Sequence, residues 1–274
     1  MNAPGRRVEV SHIMGTAVSV HVIGRADDPV VDAAIEACFD ELCEADRVFS
    51  MYRPDSDLRR VAAGELAAAD ASTDLSLVAA ACAQAELDTG GLFSARFSGS
   101  YDPTGYVKGW SVERAARRHL APLLDLSGVM AVGINAGGDL QLFTSSGASW
   151  TWDVGIVDPV DRSRVLATVP VRNGAVATSG PAERGAHVID PRTALPASGV
   201  ISATLIAAGL ARADVWATAA VVSGFEDLSW IGRAGQSTGM IVGDDGRVRR
   251  WIDGVEVTSR LVGGEPIPDR ATGA

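Results

Sequence analysis

From Val8 to Ile23, β-branched residues fall at near-alternating positions around Gly15-Thr16. That period predicts a strand or a bent strand pair. At Pro29 the period changes: Val31, Ile35, Cys38, Leu42, Ala45 and Phe49 recur at steps of three and four. This is the stripe of a long amphipathic helix running to about Ser50, with the proline in its first turn. A second helix is expected from Asp74 to Asp88, stopped by Gly90-Gly91, and a third over Ser111–Leu120. Short strand-like runs follow at Met130–Asn135, Leu140–Phe143, Trp150–Val157, Val165–Val171 and Ala175–Thr178, separated by turn residues. Ile201–Ala207 reads as another strand, leading through Gly209 to a helix that carries Asp214. Gly239–Val242 and Arg247–Trp251 flank Asp244-Asp245-Gly246, a hairpin signal. Helices early and strands late favour an α+β domain over a doubly wound parallel sheet. With no repeat and no low-complexity linker, one unit is expected over residues 1–262. Residues 263–274, rich in Gly, Pro and charge, are expected to form a flexible tail.

Composition narrows the function classes. The 274 residues are 47% hydrophobic and 21% charged, enough to bury a sizeable core. A formal net charge of −10 argues against a broad attraction to nucleic acid or anionic lipid, so any phosphate ligand must be held by local groups. Cys38, Cys43 and Cys82 form no CxxC pair and suggest neither a zinc site nor a disulfide framework. The first 20 residues hold no uninterrupted apolar segment or lipobox cysteine, and no window has the length of a membrane span. The expected location is cytoplasmic, without membrane insertion.

Several segments look chemical, and each has a plain structural alternative. Asp214 and Thr218 stand four apart on a helix and so project from one face. A carboxylate and a hydroxyl there offer hard oxygen ligands to a cation such as Mg²⁺, whereas a helix cap at Asp214 explains the same residues by spacing alone. In Gly105-Tyr106-Val107-Lys108-Gly109, two glycines bracket a lysine ahead of a helix; a loop of this kind exposes N–H groups and an ammonium to phosphate, or is an ordinary turn. Gly137-Gly138-Asp139 lets a ligand approach the backbone closely, and serves a hairpin equally well. Thr178-Ser179-Gly180 and His187 bring hydroxyls and an imidazole into a short span, where a histidine is a general-base candidate near neutral pH. His12, His21 and His119 read as structural.

Taken in order, these segments closely resemble the ApbE-like FAD:protein FMN transferases, or flavin transferases. The matches are Met14-Gly15-Thr16, the run Phe49 to Ser56, Thr89 to Phe93, Gly105 to Trp110, Asn135 to Asp139, Ala177 to Gly180, His187 to Thr193 and Ala213 to Ala219. The resemblance implies a T-fold-related α+β unit with antiparallel sheets, flanking helices and a central FAD cleft. It implies a Mg²⁺-dependent transfer of FMN from FAD to a Thr or Ser hydroxyl in the flavinylation motif of an acceptor protein, with release of AMP. Carried over, Asp214 and Thr218 are metal ligands joined by the backbone carbonyl of Val107, a position where the family usually has Ala. Lys108 meets the FAD pyrophosphate, and Gly137, Gly138, Asp139, Thr178, Ser179 and Gly180 line the dinucleotide cleft. Met14 and Tyr52 border a flavin or adenine ring, and His187 is the base for the acceptor hydroxyl. Mg²⁺-dependent hydrolysis of FAD to FMN and AMP is the rival within the enzyme class, and non-catalytic FAD binding the rival outside it. Ala194 departs from the family's usual Asp-Pro-Arg-Thr-Gly; if that residue needs positive φ, alanine there costs about 1 kcal/mol. Many members are exported lipoproteins, a signal not found here, so a cytoplasmic acceptor is expected.

Overall fold

In a computed structural model, residues 4–181 and 188–257 are described. His187 and residues 263–274 lie outside them, as do the adjoining 182–186 and 258–262.

The first strand pair turns where the sequence indicated. β1 (Arg6–Ile13) and β2 (Thr16–Gly24) form an antiparallel hairpin in which Ile13 faces Thr16. Met14 and Gly15 both adopt positive φ, 53° and 72°, the two-residue turn whose twist suits a hairpin. Val18, Val20 and Val22 then point to one side of the sheet and are fully buried. They share a core with Val31, Ile35, Cys38 and Leu42 of α1 (Pro29–Phe49), whose first turn is capped by the Asp28 carboxylate accepting from Val30 N. Two further helices follow, the short α2 (Asp57–Ala62) and α3 (Thr73–Thr89). The second ends on Gly90 in the left-handed conformation.

Among the described residues the main sheet has nine antiparallel strands in the order β1-β2-β3-β4-β7-β10-β11-β12-β13. Its later members are β3 (Val129–Ala136), β4 (Asp139–Thr144), β7 (Gly174–Ser179), β10 (Val200–Ala207), β11 (Thr238–Gly243), β12 (Val248–Ile252) and β13 (Val255–Val257). β4 and β7 are neighbours although 29 residues separate Thr144 from Asn173, whose side chain accepts from the Thr144 N–H. The intervening chain makes a separate hairpin, β5 (Trp152–Val157) with β6 (Val165–Val171). That hairpin lies over the main sheet through Val154 and Val171 on Leu142 and Val176. A second two-stranded ribbon, β8 (Ile189–Asp190) with β9 (Leu195–Pro196), closes on the loop between them.

The helix expected at Ser111 begins earlier, at Thr104, and α4 runs from there to Ala115. It widens to a π turn over Ala116–Leu120 and tightens to a 3₁₀ turn over Ala121–Asp125, where Pro122 sits in the first turn. α5 (Leu210–Ser223) packs on α4, β7 and β10. Its Trp216 is buried and stacks on Trp230 with ring centroids 5.7 Å apart, and Trp230 meets Trp251 edge to face at 5.2 Å. This aromatic column fixes α5 from behind, leaving its opposite face for the cleft.

Ala194 has φ 58°, the conformation the family's glycine tolerates without cost. Its N–H donates to Asp190 O at 2.8 Å, so the turn holds despite the alanine. Ala194→Gly is expected to stabilise the chain by up to about 1 kcal/mol, less whatever the freer unfolded glycine removes. A thermal melt checks this; an unchanged or lower midpoint would mean that the turn carries no strain.

Candidate functional site

Four elements converge on one cleft. The Asp102 carboxylate accepts from the Thr104 N–H at 2.9 Å and from its hydroxyl at 2.6 Å, and so starts α4. Lys108, one turn further on, then faces the cleft beside Thr104 and Gly105. Gly105 to Gly109 is therefore helix and not a phosphate-facing loop. The reason lies at Gly109: an added Cβ would stand 3.0 Å from both Asp214 Cβ and Leu210 O, so the glycine lets α4 cross α5 at close range.

On α5, Asp214 and Thr218 are one turn apart and both line the cleft. Asp214 is the fifth residue of the helix and only 5% exposed, whereas Gly209 holds the cap position. The capping alternative is excluded. From the sheet, Asp139 opens β4 directly after the Gly137-Gly138 turn, whose φ values are 63° and 101°. The Gly138 N–H donates to Asn135 Oδ1 at 2.8 Å. Thr178, Ser179 and Gly180 enter from the end of β7.

The side chains are wired together. The Lys108 ammonium donates to Asp139 Oδ2 in a very short contact, and to Asp214 Oδ2 at 2.9 Å. Asp139 Oδ1 accepts from the Thr178 N–H at 3.0 Å, and the Ser179 and Thr218 hydroxyls are 3.2 Å apart. Among the described lining residues, Asp102, Asp139 and Asp214 face a single ammonium, that of Lys108. A diphosphate entering alone would meet excess negative charge; a divalent cation removes it.

The donors suit such an ion. Asp214 and Thr218 supply hard oxygens on one face, the set Mg²⁺ accepts when water or phosphate completes its octahedron. Among the described residues, no group of three or more His, Cys, Asp or Glu side chains could form a ready-made cage. An ion held here would draw its remaining ligands from main chain and substrate.

Other expected residues are placed differently. The Val107 side chain packs with Val48, Phe49, Val78 and Cys82, away from the cleft lining, so only its main chain is on offer. Met14 packs against the main core, with the Ser111 hydroxyl 3.8 Å from its sulfur, and does not line the cleft. Tyr52 is 94% exposed and likewise lines no part of it. Gly138 borders an adjoining hollow beneath β5, shared with Gly137 and Thr178. His187 is outside the described residues. His21 and His119 keep structural partners, Ser19 and Glu41 respectively.

The Asp190-Pro191-Arg192-Thr193 segment acts as a clasp. Asp190 accepts from the Arg192 N–H at 2.9 Å and from its guanidinium at 2.9 and 2.8 Å, while Arg192 also donates to Val222 O on α5. The guanidinium holds the Asp190 carboxyl below the ordinary value near 3.8. A carboxyl depressed on folding stabilises the fold above its unfolded value, and that contribution is lost as pH falls through the lower folded value. Asp190→Asn should therefore cost about 1 kcal/mol near neutrality. The gap between the melting curves of the two proteins should close as the pH is lowered below 3.8. A gap independent of pH would assign the effect to something other than this ion pair.

Comparison with known proteins gives this arrangement a family. The sequence model described as the ApbE family matches residues 96–241, which is more than half of the chain and includes every element of the cleft floor. The chain belongs to the ApbE family. Of its curated relatives, the FAD:protein FMN transferase of Rhodobacter capsulatus is 33% identical over 177 residues, covering 61% of this chain and 32% of that protein. The FAD:protein FMN transferase of Escherichia coli K12 is 30% identical over 151 residues, covering 51% and 43%. The matched segments thus span less than half the length of either relative. The fold agrees with solved ApbE structures: the Thermotoga maritima protein superposes with TM-score 0.74 at 23% identity, over 90% of this chain and 97% of that one. The Pseudomonas stutzeri flavinyl transferase gives 0.69 at 20% identity, over 90% and 94%.

Within this ApbE-family cleft, one wall went unread in the sequence. Leu92, Phe93, Phe97, Val188, Ile189 and Pro191 form an apolar surface beside the polar floor. The cleft together with the open solvent at its mouth amounts to ≈ 1000 Å³. A signal was available: Phe93 and Phe97 are the two large apolar residues of the stretch from Phe93 to Ser100. No helix among the described residues is long and apolar enough to cross a membrane.

Proposed function

We propose that residues 1–262 form a Mg²⁺-dependent FAD:protein FMN transferase, moving FMN from FAD to a Thr or Ser hydroxyl of an acceptor protein and releasing AMP. The observation that carries this is the Lys108 bridge between Asp139 and Asp214, with the Thr218 and Ser179 hydroxyls beside it, at the floor of a cleft with an apolar wall. Family membership and the names of the curated relatives support the same reading.

Each residue then has a task. Asp214 and Thr218, with the Val107 carbonyl, would hold Mg²⁺, which would supply charge screening to the diphosphate oxygens. Lys108 turns its ammonium to the diphosphate, and Ser179 and Gly180 border it. Asp139, fixed by the Thr178 N–H, keeps Lys108 aimed. Phe93 and Phe97 offer aromatic faces to a flat ring. His187 takes the proton of the acceptor hydroxyl, whose oxygen bonds to the FMN phosphorus as AMP departs with the electrons of the broken P–O bond.

Incubation of the full chain with FAD, Mg²⁺ and a candidate acceptor domain, followed by intact-mass measurement, tests this. Covalent FMN on the acceptor is the expected result. Free FMN and AMP alone would favour hydrolysis, with water in place of the hydroxyl, and intact FAD after prolonged incubation would favour simple binding.

A further inference from the structure

Lys108 is the residue assigned above to the diphosphate, yet its ammonium is already engaged by two carboxylates, Asp139 and Asp214. One of them, Asp214, is the side chain that would carry the metal. Both carboxylates are buried, and no other cation lines the cleft among the described residues. A buried carboxylate without a partner is strongly disfavoured, so Asp214 must always have a positive neighbour. In the structure that neighbour is Lys108.

We propose that Lys108 is a placeholder for the divalent cation, and that diphosphate and metal enter the site only as a pair. The inference rests on the transferase reading but adds a property that reading does not require. An ion arriving alone must share Asp214 with an ammonium already 2.9 Å from Oδ2, and is repelled by it. A diphosphate arriving alone meets three carboxylates. When both arrive, the phosphate oxygens draw Lys108 off Asp214, and the cation takes its place. No charge is left buried without a partner at any stage. Because the coupling is an equilibrium property, it is reciprocal: each ligand raises the affinity for the other by one and the same factor.

Gly109 gives this exchange its geometry. It brings α4 against α5 so that Lys108, its immediate neighbour, reaches Asp214 from the adjacent helix. Asp139 stays with Lys108 as a pivot, since its other oxygen is held by the Thr178 N–H. Lys108 is thus a positioning residue for the metal, as well as a binding residue for the phosphate.

The test compares wild type, Lys108→Met and Lys108→Arg by calorimetric titration of Mg²⁺ without nucleotide, and by FAD-binding titrations at zero and saturating Mg²⁺. Wild type should bind Mg²⁺ weakly alone, and Mg²⁺ should raise its FAD affinity by about tenfold or more. Lys108→Met should bind Mg²⁺ alone about tenfold more tightly than wild type. Lys108→Arg keeps the charge and should keep the weak metal-only affinity, which controls for loss of fold. Unchanged metal-only affinity in Lys108→Met would overturn the placeholder while leaving the transferase reading intact. Failure of wild type to bind FAD under any condition would instead overturn the transferase reading.

Discussion

Asp214→Asn is expected to abolish Mg²⁺-dependent turnover in a chain that remains folded. The substitution keeps the shape of a side chain buried beneath the cleft and removes only its charge. Lys108 retains Asp139 as a partner, so the structural cost is that of one weakened charged hydrogen bond, about 1–3 kcal/mol. The functional cost is larger. Without the carboxylate the α5 face offers an amide and a hydroxyl, too little to hold a hydrated divalent ion, and the transfer rate should fall by a factor on the order of 10³ or more. Rate measurements over a Mg²⁺ series, with far-UV circular dichroism to confirm the fold, check both halves. A variant within tenfold of wild type at every Mg²⁺ concentration would remove Asp214 from the site.

Gly109→Val is expected to damage activity and stability together, although Gly109 itself does not line the cleft. At Gly109 the atoms closest to an added Cβ are Asp214 Cβ and Leu210 O at 3.0 Å and Ala211 Cα at 3.1 Å. Two of the three belong to the α5 backbone and have no rotamer to escape into. The helices must separate, and strain of this kind costs about 1–3 kcal/mol. Lys108 moves with α4 while Asp214 stays with α5. A displacement of about 1 Å between groups that act together lowers rates by roughly 10². Alanine should give the same defects in milder form. Thermal melts and transfer assays on the Ala and Val variants measure the gradation; a Val variant with wild-type midpoint and rate would show that the crossing has slack.

The same glycine shows where the sequence was legible and where it was not. Strand runs such as Val165–Val171 and Ile201–Ala207 match β6 and β10 to within a residue, because turn residues bracket them. The Met14-Gly15 turn and the Asp244-Asp245-Gly246 hairpin were readable for that reason too. Gly105 and Gly109, by contrast, look like a loop in one dimension. Both lie inside α4, and Gly109 is there because a partner helix about 100 residues downstream needs the space, which no local pattern reports. The six-residue α2 and the two-residue β8 and β9 are too short to show a period.

The candidate site divides in a similar way. Lys108, Gly137, Asp139, Thr178, Ser179, Gly180, Asp214 and Thr218 line one cleft. Tyr52 followed a motif equally well, yet is exposed at the end of α1, since nothing in a motif fixes which way a side chain turns. The strand order that brings β4 beside β7, and so Asp139 beside Thr178, follows from pairing across a 29-residue excursion and is invisible to local pattern.

The Lys108–Asp214 pair joins residues 106 positions apart, and Asp139 to Thr178 spans another 39. Contacts of such sequence separation come late in folding, after the local hairpins have formed and the chain has surrendered most of its freedom. A nascent chain that stops short of α5 therefore lacks the Asp214 and Thr218 side of the cleft, and the Lys108–Asp214 pair forms only when that helix docks.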